Sequence, residues 1–122
     1  MYELMVEEQF AAAHQLREYQ GKCENLHGHN WKVQVFVQAD NLNKIGLAVD
    51  FNDIKQALRT LLAQLDHQFL NQLPDFQQLN PSSENIACWL FNKLKNDPQL
   101  KDVRLSKTVV WESDIACAAY WE

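Results

Sequence analysis

Several things are scarce in this 122-residue chain, and each scarcity excludes something. No stretch of about 20 apolar residues occurs, so no segment reads as a membrane-spanning helix. The N-terminal Met1-Tyr-Glu-Leu-Met-Val-Glu-Glu has neither a basic start nor an apolar core, which is unlike an export signal. Lysine and arginine number 11 against 16 acidic residues and do not cluster; the formal net charge is −5. That balance argues against a nucleic-acid or anionic-membrane surface. Glycine and proline contribute three residues each, too few for a low-complexity or linker segment. Three cysteines, an odd number without an export signal, fit reduced thiols and a cytoplasmic setting rather than a disulfide framework. Cys88 and Cys117 sit in apolar patterns and read as core filler.

Histidine is also scarce, with four in all, yet three of them fall between positions 14 and 29. Cys23-Glu-Asn-Leu-His27-Gly-His29 carries a thiol and two imidazoles, and Phe10-Ala-Ala-Ala-His14 ends on a third imidazole. In an extended chain alternate side chains share a face, so His27 and His29 point the same way. With His14 from a neighbouring strand they can form a three-nitrogen zinc site, and an open fourth position is the mark of a catalytic zinc. Cys23 is close enough to act as a fourth ligand or as a reactive thiolate. Two plainer readings compete: a structural Cys-His-His-His zinc that staples a small fold, and a polar loop whose histidines cap strand ends.

The length suits one domain spanning 1–122. Residues 2 to 10 alternate loosely as a strand whose end delivers His14, and residues 15 to 26 read as a loop. Residues 29 to 39 form the clearest strand, with Trp31, Val33, Val35, Val37 and Ala39 on one face. Asp50 is placed to cap a helix carrying the stripe Ile54, Leu58, Leu61, Leu62 and Leu65, which stops near Asp66-His67. Ser82 and Ser83 can cap a second helix with Ile86, Ala87, Leu90, Phe91 and Leu94 buried, ended by Asn96-Asp97-Pro98. Residues 103 to 111 alternate again, Glu112-Ser113-Asp114 reads as a turn, and 115 to 120 make a last strand. The order β-β-α-α-β-β predicts an α+β domain: a four-stranded antiparallel sheet with two helices on one face. Its open edges invite pairing with another chain.

With these elements placed, the whole chain resembles the 6-pyruvoyltetrahydropterin synthase / 6-carboxytetrahydropterin synthase family. The resemblance rests on Phe10-x-Ala-Ala-His14, Cys23-x3-His27-Gly-His29, Asp50-Phe51, Asp66-His67, Pro81-Ser-Ser-Glu84-Asn85 and Trp111-Glu112, in that order. It implies the tunnelling fold, in which trimers close a sheet barrel and two trimers stack into a hexamer with active sites at subunit interfaces. It implies zinc on His14, His27 and His29, and Cys23 as the catalytic thiol. Asp66 and His67 would be relay partners, usually from a neighbouring subunit. Glu112 would anchor the pterin ring and join the relay. The Cys-x3-His spacing resembles the carboxy-forming members, which implies a zinc-dependent lyase. Its reaction would convert 7,8-dihydroneopterin triphosphate to 6-carboxytetrahydropterin, acetaldehyde and triphosphate, on the route to queuosine. The alternatives are a pyruvoyl-forming synthase on the same substrate and a non-catalytic zinc-stapled binding domain. Candidates to hold the triphosphate are Arg17, Lys22, Lys44 and Lys107.

Overall fold

The structure is a computed structural model that describes residues 1–21 and 24–122. The Cys23 thiol and Lys22 therefore lie outside the described residues. Strand β1, Tyr2–His14, pairs antiparallel with β2, His27–Ala39, without interruption from Tyr2 opposite Ala39 to His14 opposite His27. Helix α1 follows over Phe51–Leu62, then a two-residue strand β3, Gln68–Phe69, then α2 over Ser83–Leu94. Strands β4, Arg104–Ser113, and β5, Ala116–Tyr120, complete a sheet of order β3-β1-β2-β4-β5.

The sheet is thus mixed and five-stranded rather than four-stranded and antiparallel, because β3 runs parallel to β1 at Ala12 and Ala13. Two residues carry no period, so nothing in their sequence marks them as a strand. They become one through the preceding residues: the Asp66 carboxylate takes the Ala11 N–H, and the His67 N–H bonds to the Ala11 carbonyl. The two long helices, the α+β class and the order of the four longer strands agree with the expectation.

Alternation explains which face is covered. Val6, Phe10 and Ala12 of β1 join Trp31, Val33, Val35 and Val37 of β2 and Val110 of β4 in one buried cluster. Both helices supply its other layer, through Ile54, Ala57, Leu58 and Leu62 of α1 and Ile86, Ala87, Leu90 and Leu94 of α2. Each helix begins at the expected cap. Asp50 accepts from Asn52 N at 2.8 Å and Ser82 Oγ from Asn85 N at 3.1 Å, satisfying amides that the first turn leaves unpaired. Thr108, also buried, donates from Oγ1 to the Ala87 carbonyl at 2.7 Å and so ties α2 to β4.

The opposite face is polar. Gln34 donates to Glu7 and accepts from Trp111 Nε1, while Lys107 lies 4.5 Å over the Phe36 ring. Cys117 is exposed and Cys88 half-buried, so neither is core filler. The apolar neighbours of Cys117 belong to β5, the last strand of the sheet, and that is why its pattern misled.

Leu90 is fully buried between the helix layer and the sheet. Leu90→Ala is expected to cost about 2–5 kcal/mol in denaturant unfolding, the range for a leucine-sized cavity. A loss well under 1 kcal/mol would mean that α2 does not pack as described.

Candidate metal centre

The pairing of β1 with β2 places His14 opposite His27 and Ala12 opposite His29. All three imidazoles lie on the helix-covered face, because the His27–His29 alternation continues the stripe of Trp31 and Val33. They therefore close one end of the core, with Trp31 beneath them. Its Nε1 donates to the Ala12 carbonyl at 3.2 Å, and its ring meets His14 and His29 edge-on.

Glu112 arrives from β4. That strand runs through Glu112 to Ser113, so the residue expected in a turn is in the sheet, on the face of Val110. Its Oε1 lies 3.1 Å from His14 Nε2, 3.2 Å from His29 Nε2 and 4.0 Å from His27 Nε2. His14 Nε2 and His27 Nε2 are 2.9 Å apart. The four donor atoms all fall within 4.8 Å of one another and could hold a metal ion.

Local hydrogen bonds support that reading. His14 Nδ1 donates to the Pro81 carbonyl at 2.8 Å and His27 Nδ1 to the Asn25 carbonyl at 2.9 Å. With Nδ1 carrying the proton in each ring, both Nε2 lone pairs face inward, as ligating histidines require. Two such lone pairs directed at each other across 2.9 Å would repel, and a proton or a metal cation between them removes the conflict. His29 Nε2 is a buried nitrogen that, beside the Glu112 oxygen at 3.2 Å, makes no hydrogen bond among the described residues, the condition of a donor meant for a metal. Burial, opposed by the charge of Glu112, also holds the His29 pKa below its usual value and keeps the ring in the neutral, ligating form. Tetrahedral zinc with bonds of 2.0–2.1 Å sets its donors about 3.3 Å apart, near the 2.9, 3.1 and 3.2 Å of three of these separations and shorter than the 4.0 Å from His27 to Glu112.

Beyond the metal donors, Glu112 lines a recess of about 350 Å³ with Glu84, Ser83 and the β5 residues Ala116 to Ala118. In sequence Glu84 belongs to the Pro81-Ser-Ser-Glu84-Asn85 motif and stands in the first turn of α2, with no site role attached to it. Only the packing of α2 beside β4 and β5 shows that it shares a cavity with Glu112.

Asp66 and His67 stand apart from this cluster, beside the β3 edge. Asp66 Oδ1 accepts from Ala11 N at 2.9 Å, and Oδ2 lies 2.9 Å from His67 Nδ1. The Ala11 amide first, and His67 second, hold the Asp66 carboxyl below its ordinary pKa. His67 adopts φ of +59°, a left-handed conformation uncommon outside glycine, and its side chain is 81 % exposed. Among the described residues, the dyad thus leaves Nε2 of His67 without a partner. His67 and His29 both border a shallow cleft floored by Ala11, Ala13 and Gly28. Of the basic candidates, Arg17 is already engaged, donating to the carbonyls of Asn71, Phe76 and Leu79.

Residues 3–122 match the family model for 6-pyruvoyl tetrahydropterin synthase. The chain belongs to that family. It is 37% identical to a 6-carboxy-5,6,7,8-tetrahydropterin synthase of Synechocystis sp. over 115 residues, covering 88% of each chain. It is 35% identical to a dihydroneopterin monophosphate aldolase of Pyrococcus furiosus over 106 residues, covering 86% of this chain and 84% of that one. The solved 6-pyruvoyl tetrahydropterin synthase of Caenorhabditis elegans superposes with a TM-score of 0.84 at 25% identity, over 99% of this chain and 95% of that one. The tunnelling fold of the family is therefore this chain's fold, and membership makes it a pterin-processing enzyme of lyase type. No helix among the described residues is long and apolar enough to cross a membrane.

The Asp66 contacts lead to a pH-dependent prediction. A carboxyl whose folded pKa is lowered adds stability above its unfolded pKa, and loses it as pH falls through the folded value. Asp66→Asn is expected to melt below wild type at pH 7, with the gap closing as pH falls below 3.8. A gap that persists or widens in acid would mean that the ionised carboxylate is not what holds Ala11 and His67.

Proposed function

We propose that the chain is a zinc-dependent 6-carboxy-5,6,7,8-tetrahydropterin synthase, an early enzyme of queuosine biosynthesis. It would convert 7,8-dihydroneopterin triphosphate and one water to 6-carboxytetrahydropterin, acetaldehyde and triphosphate. The observation that carries this reading is the convergence of three imidazole nitrogens and one carboxylate oxygen at the end of the core. The Cys23-x3-His27 spacing and the 37% identity to the Synechocystis synthase support the carboxy-forming product.

His14, His27 and His29 would hold zinc, which as a Lewis acid polarises the hydroxyls of the substrate side chain. The remaining steps fall to this chain's own groups. Asp66 fixes Nδ1 of His67, leaving Nε2 to accept or return a proton. Cys23, as thiolate, would exchange protons at the side-chain carbons. Glu112 would take part in that relay and accept hydrogen bonds from the amino-pyrimidine edge of the ring. Glu84 is a second acceptor in the same recess. The two electrons that reduce the ring come from the side chain, so no external reductant is needed. The assembly would be a hexamer of two stacked trimers, and the exposure of His67 beside the sheet edge is compatible with the dyad serving a neighbouring subunit's centre. The setting would be cytoplasmic.

Product identification tests the reading. Incubation with dihydroneopterin triphosphate should give acetaldehyde and 6-carboxytetrahydropterin in equal amounts. The name of the Caenorhabditis elegans neighbour favours the second reading, a pyruvoyl-forming synthase. Accumulation of 6-pyruvoyltetrahydropterin without aldehyde would establish that reading in place of the first.

Cys23→Ala separates a catalytic from a structural zinc. It should purify with about one zinc per chain and a near-normal melting temperature. Its turnover should fall about 10²–10⁴-fold, the usual contribution of a positioned proton-transfer group. A zinc-free, destabilised variant would instead make Cys23 a structural ligand.

A further inference from the structure

We infer that Asn80 is a positioning residue for the metal centre, fixing the carbonyl that orients the His14 ring. The inference rests on the reading of the histidine cluster as a metal site. Its geometric premise, one enforced tautomer of His14, holds with or without the ion.

His14 is the most buried member of the cluster, 1 % exposed, and Pro81 O is the partner of its Nδ1. If that carbonyl turned away, the ring could carry its proton on Nε2 instead, and the lone pair facing Glu112 and His27 would be lost. The direction of the Pro81 carbonyl is set by the residues on either side. On the C-terminal side, Ser82 is held by the start of α2: its Oγ accepts from Asn85 N at 3.1 Å and its carbonyl from Ile86 N at 2.9 Å.

On the N-terminal side the hold is Asn80. Its Oδ1 accepts from Arg17 N at 2.9 Å and its Nδ2 donates to Arg17 O at 3.0 Å. Its own carbonyl accepts from Asn85 Nδ2 at 2.8 Å. Asn80 thereby pairs with the backbone of Arg17 as a neighbouring strand residue would, and links the chain leaving His14 to the first turn of α2. The side chain needed must offer an acceptor and a donor at once. Asparagine does, whereas aspartate offers acceptors alone.

Asn71 provides a built-in control. It clamps Gln15 in the same two-bond manner, Oδ1 from Gln15 N at 2.9 Å and Nδ2 to Gln15 O at 2.7 Å. Asn71 is ten positions from Pro81 and has no bond to the Asn80–Asn85 segment among those described. Both asparagines stabilise the segment after His14, yet only Asn80 also steers the carbonyl on the ring.

The test compares Asn80→Ala, Asn80→Asp and Asn71→Ala with wild type, each as the full chain in its native assembly. Zinc affinity is read by competition with a chromophoric chelator. Asn80→Ala should bind zinc about 10–100-fold more weakly, the usual effect of removing support behind a ligating histidine. Asn80→Asp should fall between it and wild type. Asn71→Ala should lower the melting temperature with a much smaller change in affinity. In the metal-free proteins, ¹⁵N NMR of the imidazoles should show His14 as a single Nδ1–H tautomer in wild type and as a mixture in Asn80→Ala. If Asn80→Ala does not fold, Asn80→Asp carries both comparisons. Zinc affinity lost no more in the Asn80 variants than in Asn71→Ala, with His14 still held as Nδ1–H, would overturn the proposal. A wild type with the fixed tautomer but no affinity for zinc would contradict the proposed function, and the NMR comparison would still decide the role of Asn80.

Discussion

One strand pairing carries this structure. From Tyr2 opposite Ala39 to His14 opposite His27, β1 and β2 keep a single uninterrupted register. Because side chains alternate, that register fixes which residues face the helices, and a slip of one position would turn every one of them to the other side. The same alternation buries Val33, Val35 and Val37 and sets His27 and His29 at the end of their row. Core and candidate site are therefore one constraint. Any change that moved the histidines outward would also expose the valines, and the hydrophobic cost of doing so protects the geometry of the site.

Much of the fold could be read from the sequence, and the reasons are local. Asp50 and Ser82 announce helix starts by capping chemistry that acts within three residues. The Trp31-to-Ala39 alternation announces a strand buried on one side. Other features exist only after the chain has closed on itself. Strand β3 is made by Asp66 and His67 docking on Ala11, a contact across 55 positions. Glu112 has the look of a turn in sequence, and its place in the strand comes from its neighbours, Trp111 pairing with Cys117 and Ser113 with Ala116 on either side of a register shift.

The site divides in the same way. His27 and His29 on one face follow from the period of a strand, but the convergence of His14 with them depends on the pairing register, which no local pattern contains. The metal-binding reading gains its physical force from details invisible in sequence: two Nε2 atoms facing across 2.9 Å, and a buried Nε2 on His29 that makes no hydrogen bond among the described residues. Family motifs pointed to Glu112 through resemblance, and the structure adds a reason, its carboxylate among the three imidazoles. In sequence Glu84 and Asn80 carry no role of their own, because an acid in a first helical turn and an asparagine before proline both have ordinary local explanations.

The centre also shows how a polar cluster is tolerated at the end of an apolar core. His14 and His27 each give one ring nitrogen to a carbonyl, and Trp31 shields the cluster from below, so the groups left over are the ones facing the shared point. X-ray absorption at the zinc edge of the zinc-loaded protein tests this most directly. The account predicts one zinc per chain bound by nitrogen and oxygen at about 2.0–2.1 Å, with the outer-shell scattering of three imidazoles. A sulfur scatterer at about 2.3 Å, or fewer than three imidazoles, would contradict it.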